Sequence, residues 1–172
     1  MSGVAAETVS LPLGFDVPEG WTPLAPAEAG APGVVFVAVH REAGAGFTPN
    51  ITLGVRQRPD PAPLSDIAEE AVERLGRTMA LVEVAGRHEL GAADAPGLTQ
   101  VLRLRTGEGQ ELVQTQVHLT VPGPDGPVDR VVLELVFTAA PEAARRLTPD
   151  FRQFVASVRL RRKNPAGEGE PW

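Results

Sequence analysis

Apolar residues recur along this chain with two different periods, and the switches between them outline the expected elements. Val34 to Val39 is an apolar run rich in β-branched residues, and Ile51 to Val55 alternates apolar and small positions. Gly44-Ala45-Gly46 and Pro49-Asn50 lie between them, so two strands joined by a turn are expected. The prolines at 59, 61 and 63 exclude further ladder, because proline has no backbone donor. Ser65 then stands as the expected N-cap of a helix. From here the period lengthens: Ile67, Ala68, Ala71, Val72, Leu75 and Met79 recur at three- and four-residue steps, while Asp66, Glu69, Glu70, Glu73, Arg74 and Arg77 take the opposite face. This predicts an amphipathic helix of about four turns. Its early acids and later arginines complement the helix dipole.

Beyond the helix the pattern returns to strands. Leu81 to Leu90 is followed by a small-residue turn from Gly91 to Gly97, and then by Leu98 to Thr106, Leu112 to Val121 and Val128 to Thr138. The last three are joined by Gly107-Glu108-Gly109 and by the Pro122 to Pro127 segment, which predicts an antiparallel meander. Turn lengths place Gln100 opposite Gln116 and Gln116 opposite Leu133. One face then carries Leu98, Gln100, Leu102, Gln114, Gln116 and His118 together with Val131, Leu133, Leu135 and Phe137; the other carries Val113, Val117, Val132, Glu134 and Val136. Neither face is wholly polar, so both are expected to be at least partly covered. Thr148-Pro149-Asp150 predicts the start of a second helix, with Thr148 as N-cap and Phe151, Phe154, Val155 and Val158 as its apolar stripe. The expected fold class is α+β, an antiparallel sheet of about six strands flanked by helices. One domain over 11–160 is expected, between a flexible N-terminus, 1–10, and a disordered tail, 161–172.

Composition narrows the function classes. A chain of 172 residues suits a single core. Sixteen basic against twenty-two acidic side chains give a net charge of -6, which opposes the attraction on which nucleic-acid and anionic-membrane binding rest. No run of some twenty apolar residues predicts membrane insertion. Met1 to Leu13 lacks the basic start and continuous apolar run of a secretory signal. The absence of cysteine suits a reducing compartment, so a cytoplasmic location is the expectation.

Candidate chemistry is sparse. His40, His88 and His118 show no close metal-ligand spacing, and no metal or cofactor is expected. Ser65, Thr148 and Ser157 lack a nucleophile elbow, and no catalytic residue is assigned. Glu69, Glu70 and Glu73 read as the solvated face of the helix rather than as paired catalytic carboxylates. One constellation remains as a candidate binding site: Gln100, Gln114, Gln116 and His118. Amides set among leucines on a covered face must find partners or lose about 1 to 3 kcal/mol each. Either they pair with one another inside the core, or they line a groove that meets a bound peptide or ligand.

The order of pieces carries a resemblance. Phe15 to Trp21, Phe47-Thr48-Pro49-Asn50-Ile51 leading into a strand, the long helix, the meander with Gln114-x-Gln116, and Pro149-Asp150-Phe151 running to Ser157-Val158-Arg159 together resemble the PsbP-like superfamily. The similarity spans roughly Leu11 to Arg159 and points to the bacterial branch with DcrB-type and LpqN-type proteins and the EagR chaperones of type VI secretion effectors. It implies an α/β/α sandwich without catalytic apparatus, used as a binding or adaptor module. Members differ widely, since PsbP supports a photosynthetic manganese cluster while a nuclear-import factor of the same fold binds a small GTPase. Many LpqN-type relatives are exported and lipidated; the missing leader and cysteine turn the expectation toward a cytosolic branch. The Ala, Gly, Pro and Arg richness resembles a high-GC actinobacterial genome. The implied function is a non-enzymatic binding or adaptor domain for another protein, in the manner of a cytoplasmic secretion-associated chaperone. The alternative is a small-molecule module in which a cavity between sheet and helix accepts an apolar ligand. Homodimerisation through exposed sheet edges is a further expectation.

Overall fold

The computed structural model describes residues 13–29, 33–41, 46–92, 95–123, 126–160, 162–163 and 169–170. Its elements are β1 (Leu13–Gly14), β2 (Trp21–Leu24), a 3-10 turn at Pro26–Ala29, β3 (Val34–His40), β4 (Asn50–Gln57) and helix α1 (Leu64–Gly76). The long strands β5 (Leu81–Ala92), β6 (Ala95–Arg105), β7 (Glu111–Gly123) and β8 (Gly126–Ala139) follow, then helix α2 (Pro141–Ser157) and the two-residue strands β9 (Arg159–Leu160), β10 (Arg162–Lys163) and β11 (Gly169–Glu170). The expected flexible segment 1–10 lies outside the described residues. Of the expected tail, β10 and β11 pair antiparallel and the rest lies outside them.

Seven strands form one antiparallel sheet in the order β2-β3-β4-β8-β7-β6-β5. The fold is α+β, an antiparallel sheet flanked by helices. The strand beyond the expected six is β2, which contains Pro23 and lies at the sheet edge, where a missing donor is tolerated.

Register decides what each helix covers. Gln100 pairs with Gln116 as expected, but Gln116 pairs with Val136 rather than Leu133. The expected register holds only at the hairpin tip, Gly123↔Gly126; the next pair is Val121↔Val131, so two steps along β7 are matched by five along β8. Pro122 and Pro127 cannot donate to the ladder, which accounts for the break there. An excess of three residues is odd, and an odd shift sends every later side chain to the opposite face. Val131, Leu133, Leu135 and Phe137 therefore lie away from the Gln cluster, whereas Val132, Glu134, Val136 and Thr138 share its face.

The face bearing Leu133, Leu135 and Phe137 holds the main core. Ile51, Leu53 and Val117 join it from β4 and β7, and Ala143, Ala144, Leu147, Phe151 and Phe154 of α2 close it. Phe137 stacks on Phe151 at 5.5 Å, and Phe15 meets Phe36 and Phe154 at 4.7 and 5.5 Å. Trp21 is buried at the same face and donates its Nε1–H to Asp150 Oδ2 at 2.9 Å. Helix α2 begins at Pro141, about two turns before the expected Thr148 cap. Burial explains the extension: Ala143, Ala144 and Leu147 prolong the stripe of Phe151 and Phe154. Pro149 remains inside the helix on its exposed side, where the lost donor faces water. Thr148 Oγ1 donates to the Ala144 carbonyl within the helix instead of capping it.

Helix α1 covers the other face through Leu64, Ile67 and Ala68 against Leu98 and Val132, and through Val72 and Leu75 against Leu102, Leu104 and Leu112. Its N-cap position is Pro63, with no side-chain cap, so Ser65 is helical rather than capping. The proline-rich approach is held by tertiary contacts. Arg130 donates to the carbonyls of Arg58, Asp60 and Ala62 at 3.1, 2.7 and 2.9 Å, and Arg58 pairs with Asp60 and Glu70. The Arg58 guanidinium, chiefly by hydrogen bonding, lowers the Asp60 pKa to about 2 and also lowers that of Glu70.

A polar cleft between helix α1 and the sheet

Strict alternation places Thr52, Gly54 and Arg56 of β4 on the α1 side, beside Val136, Glu134 and Val132 of β8. Across β7 the partners of Val136 and Glu134 are Gln116 and His118, so one row runs Gly54–Glu134–His118 and the next Thr52–Val136–Gln116–Gln100–Arg87. Ala71, Arg74 and Leu75 of α1 form the roof. The cleft, open on one side, measures about 290 Å³ and is also lined by Gln114.

The four expected site residues are brought together. Gln100 Nε2 donates to Gln116 Oε1 at 2.8 Å and to the Ala68 carbonyl of α1 at 3.2 Å. Gln116 Nε2 donates to Gln114 Oε1 at 2.6 Å, and Gln114 Nε2 donates to Thr138 Oγ1 at 2.9 Å. Arg87 closes the chain from β5, giving two bonds to Gln100 Oε1 at 3.0 and 2.8 Å and one to Glu69 Oε2 at 2.7 Å. Mutual pairing and a groove thus occur in the same place: Gln100 is sealed beneath α1, while Gln114, Gln116 and His118 reach the cleft wall.

His118 is 1 % exposed, and its Nε2 lies 3.3 Å from Gln116 Oε1. That oxygen is an acceptor, so Nε2 carries the proton and Nδ1 presents a lone pair. Burial, outweighing the attraction of Glu134, lowers the His118 pKa and keeps the ring neutral. Nδ1 lies 3.8 Å from Glu134 Oε2, and both buried atoms are without a hydrogen-bond partner among the described residues. Two lone-pair atoms facing each other cannot bond; each needs a donor.

Arg56 and Arg74 stand at the mouth, with Arg56 Nε 3.3 Å from Glu134 Oε1 and Arg74 Nη2 3.6 Å from Glu134 Oε2. Burial first, and then the like charge of Arg56, push the Arg74 pKa down. Two guanidiniums share one carboxylate, leaving positive charge in excess. The expected cavity between sheet and helix is therefore present: Val34, Ala71, Leu75 and Val136 give it apolar wall, and Arg56, Arg74 and Glu134 bring charge to it. Burying an apolar ligand against the charged groups would strip water from them without replacing it.

Arg56, Arg74, Glu134 and Gly54 were not singled out by the sequence. A lone acid within the apolar run Val131 to Phe137 was the available signal, but the expected register turned it to the wrong face. Arg74 was assigned to the solvated side of the helix; its length lets it reach back over the cleft. Among the other candidates, the histidines stand on β3, β5 and β7, and no group of three potential metal ligands gathers among the described residues. Ser157 Oγ donates to the Phe154 carbonyl at 2.7 Å and accepts from the Asp16 amide at 2.8 Å, ordinary structural roles.

A second feature lies at the sheet edge. Strand β5 is the last in the order, and Leu81, Val84 and Leu90 on it are 41 %, 40 % and 41 % exposed. Among the described residues only Val17 joins them as an exposed large apolar side chain.

No protein-family model matches the chain, and no curated protein sequence is found as a relative. Solved structures do match. LpqN of Mycobacterium tuberculosis, involved in cell envelope biogenesis, superimposes with a TM-score of 0.66 over 86% of this chain and 82% of its own, at 14% identity. The cyanobacterial PsbP, CyanoP, of Synechocystis sp. PCC 6803 gives a TM-score of 0.61 over 87% and 86% at 13% identity. The chain has the PsbP-like fold. Mog1p of Saccharomyces cerevisiae, a Ran-binding protein, carries the same PsbP-like architecture at a TM-score of 0.57, covering 87% of this chain and 90% of its own at 13% identity. At such identities the PsbP-like fold is what these proteins share, and function must be read from the site. No helix among the described residues is long and apolar enough to cross a membrane.

Proposed function

We propose that this chain is a non-enzymatic binding domain that holds an extended segment of a partner protein against β5, acting as a cytoplasmic adaptor or secretion-associated chaperone. The observation that carries this reading is the edge itself: a twelve-residue strand with three exposed large apolar side chains. A strand of that length offers a row of backbone donors and acceptors, and apolar pockets on alternate sides give such an added strand its specificity. Glu83, Arg87 and Glu89 and the register shift between Val84 and Gly86 interrupt this edge, so the added segment gains its hold from the apolar side chains as much as from the ladder. The lack of cysteine is compatible with a reducing compartment. The comparison proteins include a Ran-binding protein, which shows that this fold can serve protein recognition.

The test is affinity capture from the native host with the intact chain and with Val84→Lys, which places a charge on the edge without touching the core. The expected result is a specific protein recovered by the parent and lost with V84K, while both melt at the same temperature. Equal recovery by the two would refute the edge as the binding surface. A change of the parent from dimer to monomer in V84K, seen by light scattering, would identify the partner strand as a second copy.

A further inference from the structure

The cleft under α1 is separate from the β5 edge and carries its own chemistry. Four features converge in it. His118 Nδ1 and Glu134 Oε2, both buried, lie 3.8 Å apart, and neither has a hydrogen-bond partner among the described residues. Arg56 and Arg74 converge on Glu134 at 3.3 and 3.6 Å, with guanidinium donors left over and a net positive charge. Gly54 sits in the strand directly beside Glu134, where a glycine weakens the ladder but leaves the floor open. The volume of about 290 Å³ lies at the small end for ligand sites.

We infer that this cleft binds a small polar molecule carrying both an anionic group and an N–H or O–H donor, of the size of a short hydroxy acid or amino acid. The anionic group meets Arg56 and Arg74 at the mouth, relieving the repulsion between them. The hydroxyl or amine inserts toward Glu134 Oε2 and His118 Nδ1, two buried acceptors with no hydrogen-bond partner among the described residues. Gln114 and Gln116 hold the wall rigid, because their amides are already committed to Thr138 and Gln114. Selectivity follows from the same pairing. An anion without a donor reaches the arginines but leaves the inner acceptors unmet, which is how a polar site rejects an analogue lacking one group.

The test is a chemical-shift titration of the intact ¹⁵N-labelled chain with lactate, 3-hydroxybutyrate, glycine and β-alanine, against propionate and 2-aminoethanol as single-group controls. At least one two-group probe is expected to saturate, to shift amides of Gln114–His118 and Ala71–Leu75, and to bind at least about tenfold more tightly than either control, a step of one decade in Kd. Glu134→Gln should erase that advantage while leaving the weak propionate response. Gly54→Val should block all the probes; a Cβ there meets only ordinary contacts, at 3.5 Å from the Gly33 carbonyl, so the strand accommodates it. Val84→Lys should leave the titration unchanged, which separates this site from the edge. Failure of every probe to saturate, equal binding of propionate, or full binding by G54V and E134Q would each overturn the inference.

Discussion

On the α2 side of the sheet, Phe137, Phe151 and Phe154 pack with Ile51, Leu53 and Leu135 into one continuous apolar cluster. On the α1 side the corresponding rows carry Gln100, Gln114, Gln116, His118 and Glu134, and the apolar contacts are split into two small groups flanking them. The same strands build both faces, so the contrast reflects the side chains and not the backbone. Close packing holds the α2 face, and its interactions are non-directional and additive in area. The α1 face depends on a relay of hydrogen bonds in which each member is partner to the next, and it leaves two acceptors over. Apolar packing is concentrated on one side of the sheet and buried polar groups on the other.

Three measurements would break or sharpen that contrast. Phe154→Ala empties a fully buried site among aromatic rings and should cost about 3 to 5 kcal/mol in denaturant unfolding. Gln116→Ala removes one amide that serves Gln100, Gln114 and His118, and should cost about 1 to 3 kcal/mol. Should Q116A prove as damaging as F154A, the division between a packed and a networked face would fail.

The smallest effect is pH-dependent. His118 has a lowered pKa in the folded chain, so below the unfolded value of 6.5 the unfolded state binds a proton that the native state does not. Its contribution is complete above that value and declines on acidification, by at most about 1.4 kcal/mol per pH unit. Thermal melts from pH 7.5 down to 5 should show the decline, and His118→Gln should flatten it; an unchanged slope in H118Q would place the titration elsewhere.

Much of the fold was legible because its signals are local. The alternation of Ile51 to Val55, the three- and four-residue steps of Ile67 to Leu75 and the Gly107-Glu108-Gly109 turn each depend on neighbours close in the chain. The Gln100↔Gln116 pairing was also within reach, since a short turn fixes its own register. Two helix starts were misplaced for a common reason: Ser65 and Thr148 are good caps in isolation, but burial of Leu64 and of Ala143, Ala144 and Leu147 drew the helices further toward the N-terminus. Tertiary packing outweighs a cap of about 1 kcal/mol. Edge strand β2 was overlooked because Pro23 argues against a strand wherever the sheet position is unknown.

The amino-acid order alone established an α+β chain with alternating strands, one strongly amphipathic helix, and a set of amides facing the same way as Leu98 and Leu102. Only the folded chain decided that Glu134 faces His118 and that Arg56 and Arg74, from a strand and a helix distant in sequence, close over it. The reason is the two-residue period of a strand: three extra residues at the tip of the β7–β8 hairpin turn the whole of β8 over. Whether a lone acid in an apolar run is buried with the phenylalanines or set in a charged cleft depends on that offset, and no local pattern encodes it.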